Sequence, residues 1–292
     1  MTPGIASHVL HGGGLKRRFL VYTPEGIDLS GFVPVVLVLH GAGGTAKWML
    51  EETGWDVKAD QEGFLVVAPE AVPMDPSKKP KFFTNPQVWN DGGQTSVALS
   101  RGHDDVAFLT SLLDQVQRQF AVDPRRIYVT GFSNGAAMTF LLATGLSQRL
   151  AAIAPVAGRC RLEAPALERP VPTLYMIGQD DPLVPLAGGD VKSPWNGQTA
   201  NRPPVRETLD KWAKAIGAEA QATVSEDLQG VTIARHAPRQ DGAELVVYTI
   251  KGLGHHWPGG KGRLSERIGG KRSLRINATN VIWEFFRKHA MP

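Results

Sequence analysis

The chain has 292 residues, 42% of them hydrophobic, and sets 32 lysines and arginines against 28 aspartates and glutamates for a net charge of +4. That length suits one large globular α/β domain, and no Pro- or Gly-rich stretch is long enough, or free enough of flanking patterned segments, to act as a linker. The charge is mild and its basic clusters (Lys16-Arg17-Arg18, residues 78–81, Lys271-Arg272) are joined by no aromatic-interleaved stripe, which argues against a nucleic-acid face, while no run approaches the ~20 apolar residues of a membrane span.

Residues 1–14 show no charged segment followed by an apolar one, so no signal peptide is expected; the chain either stays in the cytosol or is numbered from after a removed leader. Residues 15–23 read as an early strand ended by Pro24 and Gly26. Residues 34–40 form a continuous apolar run, as in a strand buried on both faces, and lead into His40-Gly41-Ala42-Gly43-Gly44. A helix is expected over about 45–61 and a second buried strand over 64–68. Residues 72–102 are irregular and rich in Pro, Gly and polar side chains, a long loop of the kind that borders a site. Asp104 and Asp105 open a helix whose apolar positions Val106, Leu109, Leu113, Val116 and Phe120 recur every three to four residues. A strand at 127–130 runs directly into Gly131-Phe132-Ser133-Asn134-Gly135, followed by a helix over 134–147. Further strands fit 151–157, 172–177 and 244–250, with a helix near 204–216 and a last helix capped by Asn277. The alternation implies a mostly parallel sheet covered by helices on both faces, in a single domain over residues 1–292, with loops 72–102 and 183–204 bordering the site.

G-x-S-x-G alone is a weak signal, met by chance in about one chain in seven of this composition. Its setting strengthens it. A strand that stops at a sharp turn leaves the Ser133 hydroxyl pointing out of the sheet, and the following helix aims its N-terminus and the Asn134 N–H at a developing oxyanion. A serine needs a general base oriented by a carboxylate. The acid is sought in Gly178-Gln179-Asp180-Asp181-Pro182, where an apolar strand ends in a turn; Pro182 restrains the backbone of Asp181 and favours it over Asp180. The base is sought in Gly252-Leu253-Gly254-His255-His256-Trp257-Pro258-Gly259, where either His255 or His256 fits. No third ligand at metal spacing accompanies the two histidines. The second oxyanion donor is assigned to the N–H of Ala42 or Gly41, after the early buried strand. The lipase-like string His11-Gly12-Gly13-Gly14 precedes every core strand and is read as a flexible turn. The single cysteine, Cys160, excludes an intrachain disulfide and a cysteine-based metal cluster, lacks a nucleophile motif, and is assigned to packing.

With these residues in view, the chain resembles the polyhydroxybutyrate-depolymerase-like esterases, which overlap with the feruloyl and acetyl-xylan esterases of carbohydrate esterase family one, within the α/β-hydrolase superfamily. The matching pieces span nearly the whole chain: Tyr22-Thr23-Pro24, Leu39-His40-Gly41, Asp104-Asp105-Val106, the run from Val122 through Gly131-Phe132-Ser133-Asn134-Gly135 to Met138, Gly178 to Pro182, and Gly254-His255-His256-Trp257-Pro258-Gly259. The resemblance implies His255 rather than His256 as base and Asp181 as acid. Departures are the single cysteine, where relatives carry disulfides near the site, the absence of a visible leader although relatives are commonly secreted, and the lack of an appended polymer-binding module. Trp257, Trp89 and His40 are candidates for the substrate site, and Trp195 offers another aromatic platform; each equally fits core or rim packing. The expectation is a serine carboxylic-ester hydrolase working through an acyl-enzyme on short-chain acyl, acetyl or feruloyl esters or polyhydroxyalkanoate oligomers, with no cofactor and no metal. Acyl transfer and serine peptidase activity are the enzymatic alternatives on the same fold. A non-catalytic hydrolase-like binding protein is the other class, and it would lack a member of the Ser133, Asp181, His255 set. The expected partner is a small or oligomeric ester, with neither nucleic acid nor membrane.

Overall fold

The computed structural model describes residues 3–12, 15–28, 30–93, 102–195, 197–227 and 229–292. In chain order the elements are β1 (Gly4–Gly12), β2 (Leu15–Thr23), β3 (Val33–Leu39), α1 (Ala46–Thr53), α2 (Trp55–Glu62), β4 (Leu65–Pro69), α3 (Asp105–Gln119), β5 (Val122–Phe132), α4 (Asn134–Gly145), β6 (Ala152–Val156), β7 (Thr173–Gly178), β8 (Gly189–Lys192), β9 (Thr199–Arg202), α5 (Val205–Ala215), β10 (Val224–Asp227), β11 (Val231–His236), β12 (Leu245–Ile250), α6 (Glu266–Gly269) and α7 (Ala278–Phe286). A 10-stranded sheet has the order β1-β2-β4-β3-β5-β6-β7-β12-β11-β10, and β8 and β9 form a separate hairpin. The strands from β4 through β12 in that order run parallel; antiparallel pairs finish both edges.

The apolar runs are continuous because both sheet faces are covered. Alternate residues of β3 separate cleanly: Val35, Leu37 and Leu39 enter one core cluster, and Val36 and Val38 the other. The first cluster is closed by α3, α4 and α5 through residues such as Leu112, Phe140 and Trp212. The second is closed by α1, α2 and α7 through Met49, Trp55, Ile282 and Phe286. Val/Ile/Leu-rich strands without polar alternation are what such a doubly covered parallel sheet requires. Among the described residues no helix is long and apolar enough to cross a membrane.

Several boundaries differ from the sequence expectation. The helix expected over 45–61 is two helices, because Gly54 takes φ 68° and ends α1 before α2 begins. Such a left-handed residue at a helix end is easily adopted by glycine. Residues 4–12 form an edge strand. This corrects the flexible turn assigned to the His11-Gly12-Gly13-Gly14 string: His11 pairs with Lys16 and Gly12 with Leu15 at the end of the β1–β2 hairpin, and Gly13 and Gly14 lie outside the described residues. The strands β2, β4 and β3 separate β1 from β5, and with it the string from Ser133. Of the loops at 72–102 and 183–204, residues 94–101 and Asn196 lie outside the described residues, and the second loop contains the β8–β9 hairpin. Cys160 is free, buried in the first core cluster, and burial pushes its thiol pKa up to about 11.

Candidate active site

Ser133 sits between β5 and α4 with φ 56° and ψ −114°, a left-handed backbone that a serine adopts only where its surroundings impose it. The turn is held by Ser133 N–H donating to the Val156 carbonyl at 2.9 Å and by Ala137 N–H donating to the Ser133 carbonyl at 3.1 Å. Side chains on the two motif glycines would not fit. A Cβ on Gly131 would stand 2.3 Å from the Gly135 carbonyl oxygen, and one on Gly135 would stand 2.3 Å from that of Leu39. The glycine spacing of the motif therefore reflects backbone passing against backbone.

The Ser133 Oγ lies 2.8 Å from His255 Nε2, and His255 Nδ1 lies 2.8 Å from Asp181 Oδ2. Asp181 and His255 are both buried, each 2% exposed. The other carboxylate oxygen, Asp181 Oδ1, accepts the backbone N–H groups of Leu183 and Val184 at 2.8 and 2.7 Å, so the turn after β7 orients the acid. Asp180 is exposed. The His255 loop is tied down where Gly254 N–H donates to the Lys271 carbonyl and His255 N–H to that of Gly269. His256 turns away from Ser133: its Nε2–H donates to the Gly270 carbonyl at 2.8 Å, and burial holds its pKa below the usual histidine range. A serine, imidazole and carboxylate joined in this order can move a proton off the hydroxyl as it attacks an electrophile and hold the imidazolium that results.

Gly41 and Ala42 lie across from the elbow, the position a Cβ would occupy on Gly41 being 3.3 Å from Ser133 Cβ. Asn134 is the first residue of α4, so its N–H has no acceptor within the helix. Its side chain faces the neighbouring loop, accepting from Trp89 N–H at 2.7 Å and donating to the Trp89 carbonyl and Asp91 Oδ2 at 3.1 and 2.8 Å. His40 braces the facing loop. Its Nε2 accepts the Ala71 N–H at 3.1 Å, which leaves the proton on Nδ1 to be donated to the Gly41 carbonyl at 2.8 Å. Complete burial pushes its pKa down to about 4, so the ring is neutral.

The residues suggested for the substrate site are placed differently. His40, Trp89 and Trp257 are all buried and none lines the cleft above Ser133. Trp89 donates its indole N–H to the His40 carbonyl at 2.9 Å, and Trp257 donates its own to Thr279 Oγ1 at 3.1 Å. Both tend the scaffold, because a buried indole needs an acceptor and finds one there. The cleft is instead an apolar slot walled by Trp48, Phe82, Phe132, Leu183, Trp195 and Ile268. Trp195 is fixed by its indole N–H donating to the Phe82 carbonyl at 2.9 Å. These walls come from segments scattered along the chain: Phe132 belongs to the serine motif, Phe82, Leu183 and Trp195 fall in the segments 72–102 and 183–204 expected to border the site, and Trp48 and Ile268 carried no sequence signal.

The sequence pattern of the phospholipase/carboxylesterase family matches residues 32–202. The chain is 27% identical over 295 residues to the protein named "Putative esterase NocK" from Nocardia uniformis subsp. tsuyamanensis, spanning 96% of this chain and 81% of that one. It is 26% identical over 286 residues to poly(3-hydroxyalkanoate) depolymerase C of Paucimonas lemoignei, spanning 91% of this chain and 65% of that protein. Among solved structures, the acetyl xylan esterase from Aspergillus awamori superposes with a TM-score of 0.63 at 13% identity, covering 97% of this chain and 99% of that chain, which shows a shared fold.

Proposed function

Because the chain belongs to the phospholipase/carboxylesterase family and is an esterase of the α/β-hydrolase type, we propose that it hydrolyses short-chain acyl esters through an acyl-enzyme formed on Ser133. The observation that carries this reading is the unbroken chain from Ser133 Oγ to His255 Nε2 and from His255 Nδ1 to Asp181, each link 2.8 Å. Ser133 Oγ attacks the ester carbonyl while its proton passes to His255 Nε2. Asp181 holds the imidazolium that forms, and the N–H groups of Asn134 and of Ala42 or Gly41 receive the oxyanion. Collapse of the tetrahedral species breaks the bond to the alcohol, which leaves with the proton from His255. Water then gives a proton to His255 as its oxygen attacks the acyl carbon, and the second collapse releases the acid and returns the proton to Ser133.

The apolar slot with its aromatic walls at Trp48, Phe82 and Trp195 suits a short acyl group and a flat apolar alcohol or acyl portion. The test is a panel of p-nitrophenyl esters of increasing acyl length, methyl ferulate, acetylated xylan and hydroxybutyrate oligomers, each with wild type and Ser133→Ala. The expected result is highest kcat/KM on the shortest acyl groups and loss of turnover in the variant. Turnover that rises steadily with chain length would overturn the short-acyl reading.

A further inference from the structure

The segment after β6 passes directly under the Ser133 elbow. At Gly158 a Cβ would stand 2.3 Å from the Ser133 carbonyl oxygen and 2.5 Å from Ala136 Cβ. The next residue, Arg159, is only 3% exposed, and its Nε and Nη1 have no hydrogen-bond partner among the described residues. Its Nη2 reaches the Pro185 carbonyl at 3.4 Å, beyond the ~2.7–3.2 Å of an ordinary N–H···O bond. Pro185 is two residues past Leu183, which lines the cleft.

Among the described residues no carboxylate pairs with this guanidinium. The acid near enough to act on it, Asp181, has one oxygen on His255 and the other on the Leu183 and Val184 amides. Tyr175, also close, donates its hydroxyl to the Gly158 carbonyl. The remaining charged neighbours are Arg161, which is exposed, and Arg202, half-buried at the end of β9; Arg202 in turn feels Asp91. Burial first, and these like charges second, pull the Arg159 pKa down to about 10. A buried cation without a partner is costly, and a planar fork of N–H donors is shaped for a carboxylate.

We propose that Arg159, with Arg161 and Arg202 at its rim, forms a carboxylate-binding subsite beside the Ser133 elbow, so that the preferred esters carry a free carboxylate. The carboxylate displaces the weak Pro185 contact and, as the buried guanidinium turns toward it, takes the Nε and Nη1 donors. This rests on the esterase reading above. The carboxylate belongs either to the acyl side, as in a dicarboxylic half-ester, or to the alcohol side, as in an O-acylated hydroxy acid.

The test compares kcat/KM for p-nitrophenyl half-esters of succinate and glutarate with neutral acyl esters of equal length, and for acetoxybenzoates with phenyl acetate. The wild type is expected to prefer the anionic member of one series, chiefly through KM. Arg159→Gln should lower that preference roughly 10- to 100-fold, with part restored in Arg159→Lys, and Arg202→Gln should lower it in the same direction. Thermal stabilisation of the wild type by glutarate, reduced in Arg202→Gln, reads the subsite independently of turnover and of whether Arg159→Gln folds. A preference near one in both series with no stabilisation by glutarate, or a preference untouched by both substitutions, would overturn the proposal. Glutarate binding with no hydrolysis of any ester would sink the esterase reading and leave the subsite standing.

Discussion

His40 gives the fold a pH dependence that can be worked from its surroundings. The ring is completely buried, accepts the Ala71 N–H at Nε2 and donates to the Gly41 carbonyl from Nδ1. Protonation would place a second donor against the Ala71 N–H, and burial already lowers the pKa to about 4 from 6.5. Between those values the unfolded chain takes up a proton that the folded chain refuses. Stability is therefore full above pH ~6.5 and is lost as the pH falls toward ~4. At ~1.4 kcal/mol per pKa unit, lowering the pH from 7 to 5 removes about 2 kcal/mol through this one residue. His256 and the carboxylates of Asp123 and Glu244 also have lowered pKa values and weaken the fold in acid, so the comparison must isolate His40. Urea unfolding of wild type and His40→Gln at pH 7 and pH 5 does so. The variant, which cannot titrate there, is less stable at pH 7, and its deficit should shrink by about 2 kcal/mol at pH 5. Curves that decline in parallel would refute the assignment of a neutral, clamped His40.

The buried pair of Arg17 and Asp105, 2.7 Å apart, sits with the guanidinium 3.8 Å above the Phe108 ring and with Asp105 also accepting Asn90 N–H. Arg17→Met strands the carboxylate and should cost about 3–5 kcal/mol in urea unfolding, with Asp105→Asn in the same chain restoring part; a loss below about 1 kcal/mol would contradict the pairing. Trp195→Ala should raise KM for aryl esters with little change in stability, whereas Trp257→Phe, which removes the bond to Thr279 and part of a buried ring, should lower the melting temperature and leave KM alone. The opposite pattern would return Trp257 to the substrate site.

The central sheet was legible because residues 34–40 and 64–68 are short, β-branched-rich runs without polar alternation, the pattern of strands covered on both faces. The sites of Ser133, Asp181 and His255 were legible for a related reason: each follows an apolar strand with a turn rich in glycine or proline. The edge strands were not. In β1 polar and apolar residues mix with glycine, and only pairing with β2 makes it a strand. The tryptophans stayed open between core and substrate site because an indole reads the same whether its N–H meets the His40 carbonyl inside the fold, as that of Trp89 does, or a ligand at its rim. Trp48 and Ile268 were invisible as cleft walls, since their proximity depends on how α1 and α6 meet above Ser133. Arg159 carried no motif, and its meaning lies in the partners it lacks.

The most direct test of the mechanism is peptide mapping by mass spectrometry after rapid acid quench during turnover of p-nitrophenyl acetate. The expected result is an acetyl adduct on Ser133, absent in Ser133→Ala. An adduct on another residue, or steady turnover in Ser133→Ala, would contradict the acyl-enzyme on Ser133.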